Sequence, residues 1–198
     1  MNVFGPAIGI LELSSIAHGY TIVDQIVKKA PVKILEATYM TPGKFFILFN
    51  GDEASVDASF QHASELARSK ILDSVMIPNI HSDVLPGLYG MLKNDAVYSL
   101  GVIETLTMSS SILGADLTAK NADVSLIEIR SSRGIGGKSV YFFTGKLEEV
   151  EAGIAAAETT LARRGTLVHA ELITNPHQDL LSYFNISGGY DTLAQGET

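Results

Sequence analysis

The sequence predicts an α+β chain of two tandem ferredoxin-like units, each running β-α-β-β-α-β with a short helix after the last strand. Two observations carry that class. One is an internal repeat: Ala7-Ile-Gly-Ile-Leu-Glu12 returns as Ser99-Leu-Gly-Val-Ile-Glu104 at an offset of 92, which Asp24/Asp116, Lys28/Lys120, Ala30/Ala122, Val32/Val124 and Glu36/Glu128 keep. The offset becomes 94 for Gly43/Gly137, Lys44/Lys138, Phe49/Phe143, Gly51/Gly145 and Val56/Val150, then 96 for Ile77/Ile173, Asn79/Asn175, His81/His177 and Asp83/Asp179. Gaps fall only where loops are expected, as in a tandem duplication. The other observation is that each copy passes through the same succession of strand-like and helix-like hydrophobic patterns.

Residues 8–13 are a short apolar run with little alternation, as a strand covered on both faces requires. Ser14 and Ser15 offer N-caps for a helix over 16–29, whose Ile22, Val23, Ile26 and Val27 form an apolar face and whose Lys28 and Lys29 sit at the favourable C-terminal end. Residues 32–39 and 44–51 are the second and third strands, joined by a tight turn at Pro42-Gly43, because Pro fixes φ and Gly accepts φ > 0. A helix over 53–69 repeats Val56, Phe60, Ala63 and Ala67 at helical spacing, and its counterpart over 148–164 repeats Val150, Ile154, Ala157 and Leu161. The fourth strands are 71–77 and 167–173, followed by short helices near 82–91 and 177–184. The expected division is a first unit over 1–93, a second over 94–186 and a flexible Gly- and Ser-containing tail over 187–198.

Composition removes several classes of function. The net charge is −8 with no basic stripe, so nucleic acid is not an expected partner. No apolar run approaches the roughly 18 residues of a membrane span, and the N-terminus lacks a signal-peptide pattern, so a cytosolic protein without a membrane partner is expected. There is no cysteine, hence no disulfide, thiolate metal site or cysteine nucleophile. Hydrophobic residues make up 46% against 18% charged, more apolar surface than a soluble monomer of 198 residues needs, which points to contact with another subunit.

Arg133-Gly-Ile-Gly-Gly-Lys-Ser139 has the ending of a phosphate loop, but Ser132 stands where the first glycine belongs and a strand follows instead of a helix. The glycines serve close backbone approach instead. The histidines at 18, 62, 81, 169 and 177 lack ligand spacing, so no metal is expected, and His81 and His177 read as caps or interface groups. No nucleophile, base and orienter can be assembled, so no enzyme and no cofactor are expected.

Ala7-Ile-Gly-Ile-Leu-Glu12, Thr41-Pro-Gly-Lys-Phe45, Ile77-Pro-Asn-Ile-His81, Gly134-Ile-Gly-Gly-Lys138 and Asn175-Pro-His177 resemble the bacterial microcompartment shell proteins, specifically the tandem-domain, trimer-forming subclass of the propanediol-utilisation type. The resemblance runs from about residue 7 to 184 in both copies. It implies a homotrimer that imitates a hexagon, tiles with other shell proteins (hexamers and pentamers) into the facets of a microcompartment shell, and passes small metabolites through an axial pore. It places Met40, Thr41, Pro42 and Gly43 at the pore, alternating with Arg133, Gly134, Ile135 and Gly136, with Arg133 favouring anions. It places Lys28, Lys120, Asn79, His81, Asn175 and His177 at tile edges, although Asn175 stands where single-domain relatives often carry arginine. Close relatives carry an iron–sulfur ligand cysteine where this chain has Thr41, a hydroxyl that ligates iron poorly, so no cluster is expected. The competing expectation is a trimeric small-molecule-binding regulatory module, which fold alone would allow.

Overall fold

A computed structural model describes residues 5–92, 97–130 and 136–184. The first unit contains β1 (Ala7–Leu13), α1 (Ile16–Lys29), β2 (Lys33–Met40), β3 (Lys44–Gly51), α2 (Glu53–Ala67), β4 (Ile71–Ile77) and α3 (Val84–Leu88). The second contains β5 (Ser99–Thr105), α4 (Met108–Asn121), β6 (Ser125–Arg130), β7 (Ser139–Gly145), α5 (Leu147–Arg163), β8 (Leu167–Thr174) and α6 (Gln178–Leu181). Each unit is one antiparallel four-stranded sheet, β2-β3-β1-β4 and β6-β7-β5-β8. This is the expected ferredoxin-like pattern, made twice. The expected boundary between the units at 93/94 and the tail at 187–198 lie outside the described residues.

Local chemistry explains where the elements begin and end. The Ser15 side chain accepts the His18 N–H at the start of α1, Asp52 accepts the Ser55 N–H at the start of α2, and Thr107 accepts the Ser110 N–H at the start of α4. Helix α2 stops two residues short of the expected 69, because a 3₁₀ turn over Arg68–Lys70 tightens the chain into β4. The terminal helices are also shorter than expected. Gly90 at φ 64 closes the turn after α3, and Asn175 at φ 50 delays the start of α6.

Each sheet has a helix-covered face and an open face. On the covered faces Gly9 lies opposite Phe49 and Gly101 opposite Phe143, each ring filling the space a Cβ would take. The open faces differ in their surroundings. In the first unit Ile8, Ile10, Phe46, Leu48, Val75 and Ile77 are buried in one core with Met108, Ile112 and Ala115 of α4. Helix α4 therefore packs on two sheets, its own and its neighbour's. In the second unit the corresponding face, with Leu100, Val102, Val140, Phe142 and Ile173, is covered among the described residues chiefly by the α6 end of the chain, through Leu180 and Phe184.

Candidate functional site: the joint between repeats and the paired loops

The joint begins with two carboxylates on β1 and β4, cross-strand partners in register. Glu12 and Asp73 both point from the open face of the first sheet to the N-terminus of α4, where unpaired N–H groups and the helix dipole favour negative charge. Glu12 accepts the Ser109 N–H at 2.8 Å and the Ser109 hydroxyl at 3.0 Å. Asp73 accepts the Thr107 hydroxyl, the Ser110 hydroxyl at 2.8 Å and the Arg164 guanidinium at 2.6 Å. Burial raises the Glu12 carboxyl above the ordinary glutamate range, against the Ser109 bonds and the Lys44 charge, which lower it.

At the other end of α4, Asp116 accepts the His81 N–H at 2.7 Å and pairs with Lys120 at 2.7 Å, while the Lys120 ammonium donates to the Asn79 carbonyl. Three of the six residues expected at tile edges, Lys120, Asn79 and His81, are thus brought together at the joint inside one chain. Among the described residues their counterparts are not joined to one another. Lys28 pairs with Asp24, at 2.6 Å on the surface, and His177 caps α6 by accepting the Asp179 N–H, with Asn175 exposed beside it.

The two loops meet beside the joint. Thr41, Pro42 and Gly43 are exposed, with Gly43 at φ 102 and its N–H given to the Met40 carbonyl. Gly137 sits against Pro42 and Lys44, and the Lys44 ammonium reaches the Gly137 and Leu106 carbonyls at 3.4 Å and Glu12 at 3.3 Å. Gly136 is exposed at φ 67. Arg133, Gly134 and Ile135 lie outside the described residues. Met40, before them, is 5% exposed and packs within the core. It backs the loop, because the turn that exposes Thr41 to Gly43 begins only after it.

Sequence reading passed over Glu12, Asp73, Asp116 and Arg164 as joint residues. One signal was available: Thr107-Met-Ser-Ser-Ser111 places hydroxyls where the first copy has Ser15-Ile-Ala-His-Gly19.

The BMC domain matches this chain twice, over residues 7–80 and 99–176, one match on each sheet. The chain belongs to the BMC domain family. This BMC-domain chain is 34% identical to the bacterial microcompartment shell protein PduT of Citrobacter freundii over 174 residues, 88% of this chain and 95% of the relative. It is 38% identical to a microcompartment protein of known structure from Desulfitobacterium hafniense, with a TM-score of 0.80 over 90% of this chain and 99% of that one. A fused, permuted hexameric shell protein from the RMM microcompartment shares the fold at 22% identity, with a TM-score of 0.59 over 79% of this chain and 81% of that one. Family membership gives the BMC-domain chain a structural role in a bacterial microcompartment shell, within the cytoplasm. An iron–sulfur cluster does not fit its residues, since the loop offers a Thr41 hydroxyl and the sequence no thiolate.

Proposed function

We propose that three copies of the chain close head to tail into a pseudohexagonal tile, with six loops around an opening for small polar metabolites. The observation that carries this reading is the joint between α4 and the first sheet, because each chain presents both halves of that joint a second time, the helix face exposed and the sheet face half-covered by the α6 end. On α1 the counterparts of Met108, Ile112, Ala115 and Ala119 are Ile16, Tyr20, Val23 and Val27. Ile112 is fully buried, whereas Tyr20 is 60% and Val27 46% exposed. The matching sheet face is the half-covered one on the second unit. An unused helix at one end and an unused sheet face at the other make a heterologous contact, which forms a ring when its rotation closes. With two units per chain, threefold closure makes the hexagon.

The repeat gives this contact its residues. Asp24 takes the His177 N–H and Lys28 the Asn175 carbonyl of the next copy, as Asp116 and Lys120 take His81 and Asn79 within the chain. Lys138, which pairs with Glu104 at 2.8 Å and is partly exposed, reaches the Gly43 carbonyl of the next copy as Lys44 reaches Gly137. The lining is then Thr41, Pro42 and Gly43 alternating with Arg133, Gly134, Ile135 and Gly136. Arg133 biases passage toward anions. Lys28, Lys120, Asn79, His81, Asn175 and His177 mark the outer ends of the six joints, where hexameric and pentameric shell proteins abut.

Electron microscopy of the concentrated protein tests the tile. Hexagonally ordered sheets support it, and a discrete trimer that never tiles, alone or with shell hexamers, favours a small-molecule-binding module instead. For the opening, Arg133→Glu should reduce anion passage through assembled shells. Unchanged anion flux removes the selectivity while leaving the tile.

A further inference from the structure

On the open face of the second sheet, His169 and Glu171 stand side by side along β8, Nε2 2.7 Å from Oε1, with about two thirds of each side chain exposed. Their register partners on β5 are Glu104 and Val102. In the first sheet the same places, opposite Glu12 and Ile10, belong to Asp73 and Val75. The repeat has therefore exchanged an aspartate for an imidazole and a buried valine for a carboxylate, on the face that awaits a second copy.

What meets these residues follows from the joint inside the chain. There the Ser110 hydroxyl reaches Asp73 at 2.8 Å. Ser110 is the counterpart of His18, so His18 of a second copy approaches His169 as Ser110 approaches Asp73. We infer that each joint between copies holds a zinc-class divalent metal ion on His169 and Glu171 of one copy and His18 of the next. This rests on the head-to-tail joint proposed above. Two imidazoles and a carboxylate are a donor set of that class, with water completing a tetrahedron at about 2.0–2.2 Å from each ligand atom. The 2.7 Å gap between Nε2 and Oε1 needs only a small side-chain rotation to admit the ion.

The charges around the site set the metal class. Glu104 and Lys138 of the same copy pair at 2.8 Å. Arg68 of the second copy takes the place of Arg164, because the Ser14-to-Lys70 and Leu106-to-Thr166 backbone bonds put both arginines at the same point of the repeat. Glu104 is thus already paired with Lys138, and Arg68, like Arg164 on Asp73, comes to the place of His169. No carboxylate surplus remains to hold a hard ion such as magnesium or calcium, and the imidazole nitrogens select zinc and its neighbours. One chain supplies only two of the three ligands, and no group of three or more His, Cys, Asp or Glu among its described residues could hold a metal.

The test is calorimetric titration of the chelator-stripped full-length chain with zinc chloride, with solution mass measured by light scattering on the same sample. The expected result is about one zinc per chain in the trimer, with affinity lowered more than roughly tenfold by either His169→Ala or His18→Ala. Co-expression of the two variants should restore part of the binding, because joints then form that combine an intact His169 with an intact His18. A trimer that binds no zinc, or binds it equally well in both variants, overturns the site and leaves the joint standing. A chain that stays monomeric overturns the joint, and the site with it.

Discussion

Asp116 accepts the backbone N–H of His81 at 2.7 Å, tying helix α4 of the second unit to the segment that follows the last strand of the first. Its repeat counterpart, Asp24, holds Lys28 in the same i,i+4 pair but faces open space. The same carboxylate and lysine thus occur once with the joint closed and once with it open. In the proposed assembly the finished contact is the template for the unfinished one.

Asp116→Ala should destabilise the single chain by about 2 kcal/mol, the scale for hydrogen bonds to a charged group. Asp24→Ala should leave unfolding within about 0.5 kcal/mol, as expected for an exposed pair. It should instead raise the concentration at which trimers dissociate. Denaturant unfolding of both variants, with a dilution series followed by mass, separates the two effects.

Asp73→Ala leaves Arg164, Thr107 and Ser110 without their common acceptor. Removing one partner of a largely buried ion pair costs about 3 kcal/mol. Asp73→Asn keeps an acceptor for the hydroxyls and should lose less. Urea midpoints with an unchanged m-value are the readout.

Glu12 gives stability a pH dependence of defined sign. Its carboxyl is raised by burial, so the folded state holds the proton more tightly than the unfolded chain. Stability is therefore lost as pH rises from the ordinary glutamate range through the raised folded-state value, and regained on acidification across that window. Glu12→Gln removes this component. The melting temperature of the native chain should rise relative to the variant as pH is lowered toward the ordinary glutamate value of 4.5.

Gly9→Ala forces a methyl group into the ring of Phe49, which is fully buried and cannot swing away. Overpacking of this kind costs about 1–3 kcal/mol. Adding Phe49→Leu should recover part of the loss, and a double-mutant cycle on melting measures the coupling. Gly101 and Phe143 should behave alike.

Secondary structure and the duplication were legible because strand and helix periods survive in both copies and the gaps fall in loops. Gly43 and Gly137, at φ 102 and 86, fit the turns that Pro-Gly and Gly-Gly announce. The joint was not legible. Ile22 and Ile26 announce one apolar face of α1, but Tyr20 and Val27 form a second that periodicity alone folds into the first. Whether a face meets its own sheet or a neighbour's depends on tertiary placement, and so does the burial of Glu12 and Asp73. The burial of Met40 beside exposed Thr41 was not legible for a related reason: adjacent residues at a strand end point to opposite sides, so a contiguous loop motif does not share one exposure.

The most direct measurement of the head-to-tail joint is solution mass by light scattering for the native chain beside Tyr20→Asp. Three times the chain's 21.2 kDa for the native protein, and a single well-folded 21.2 kDa chain for the variant, is the result expected if α1 docks on the second sheet of the next copy. A native chain of monomer mass, or a trimer indifferent to a charge at Tyr20, would contradict it.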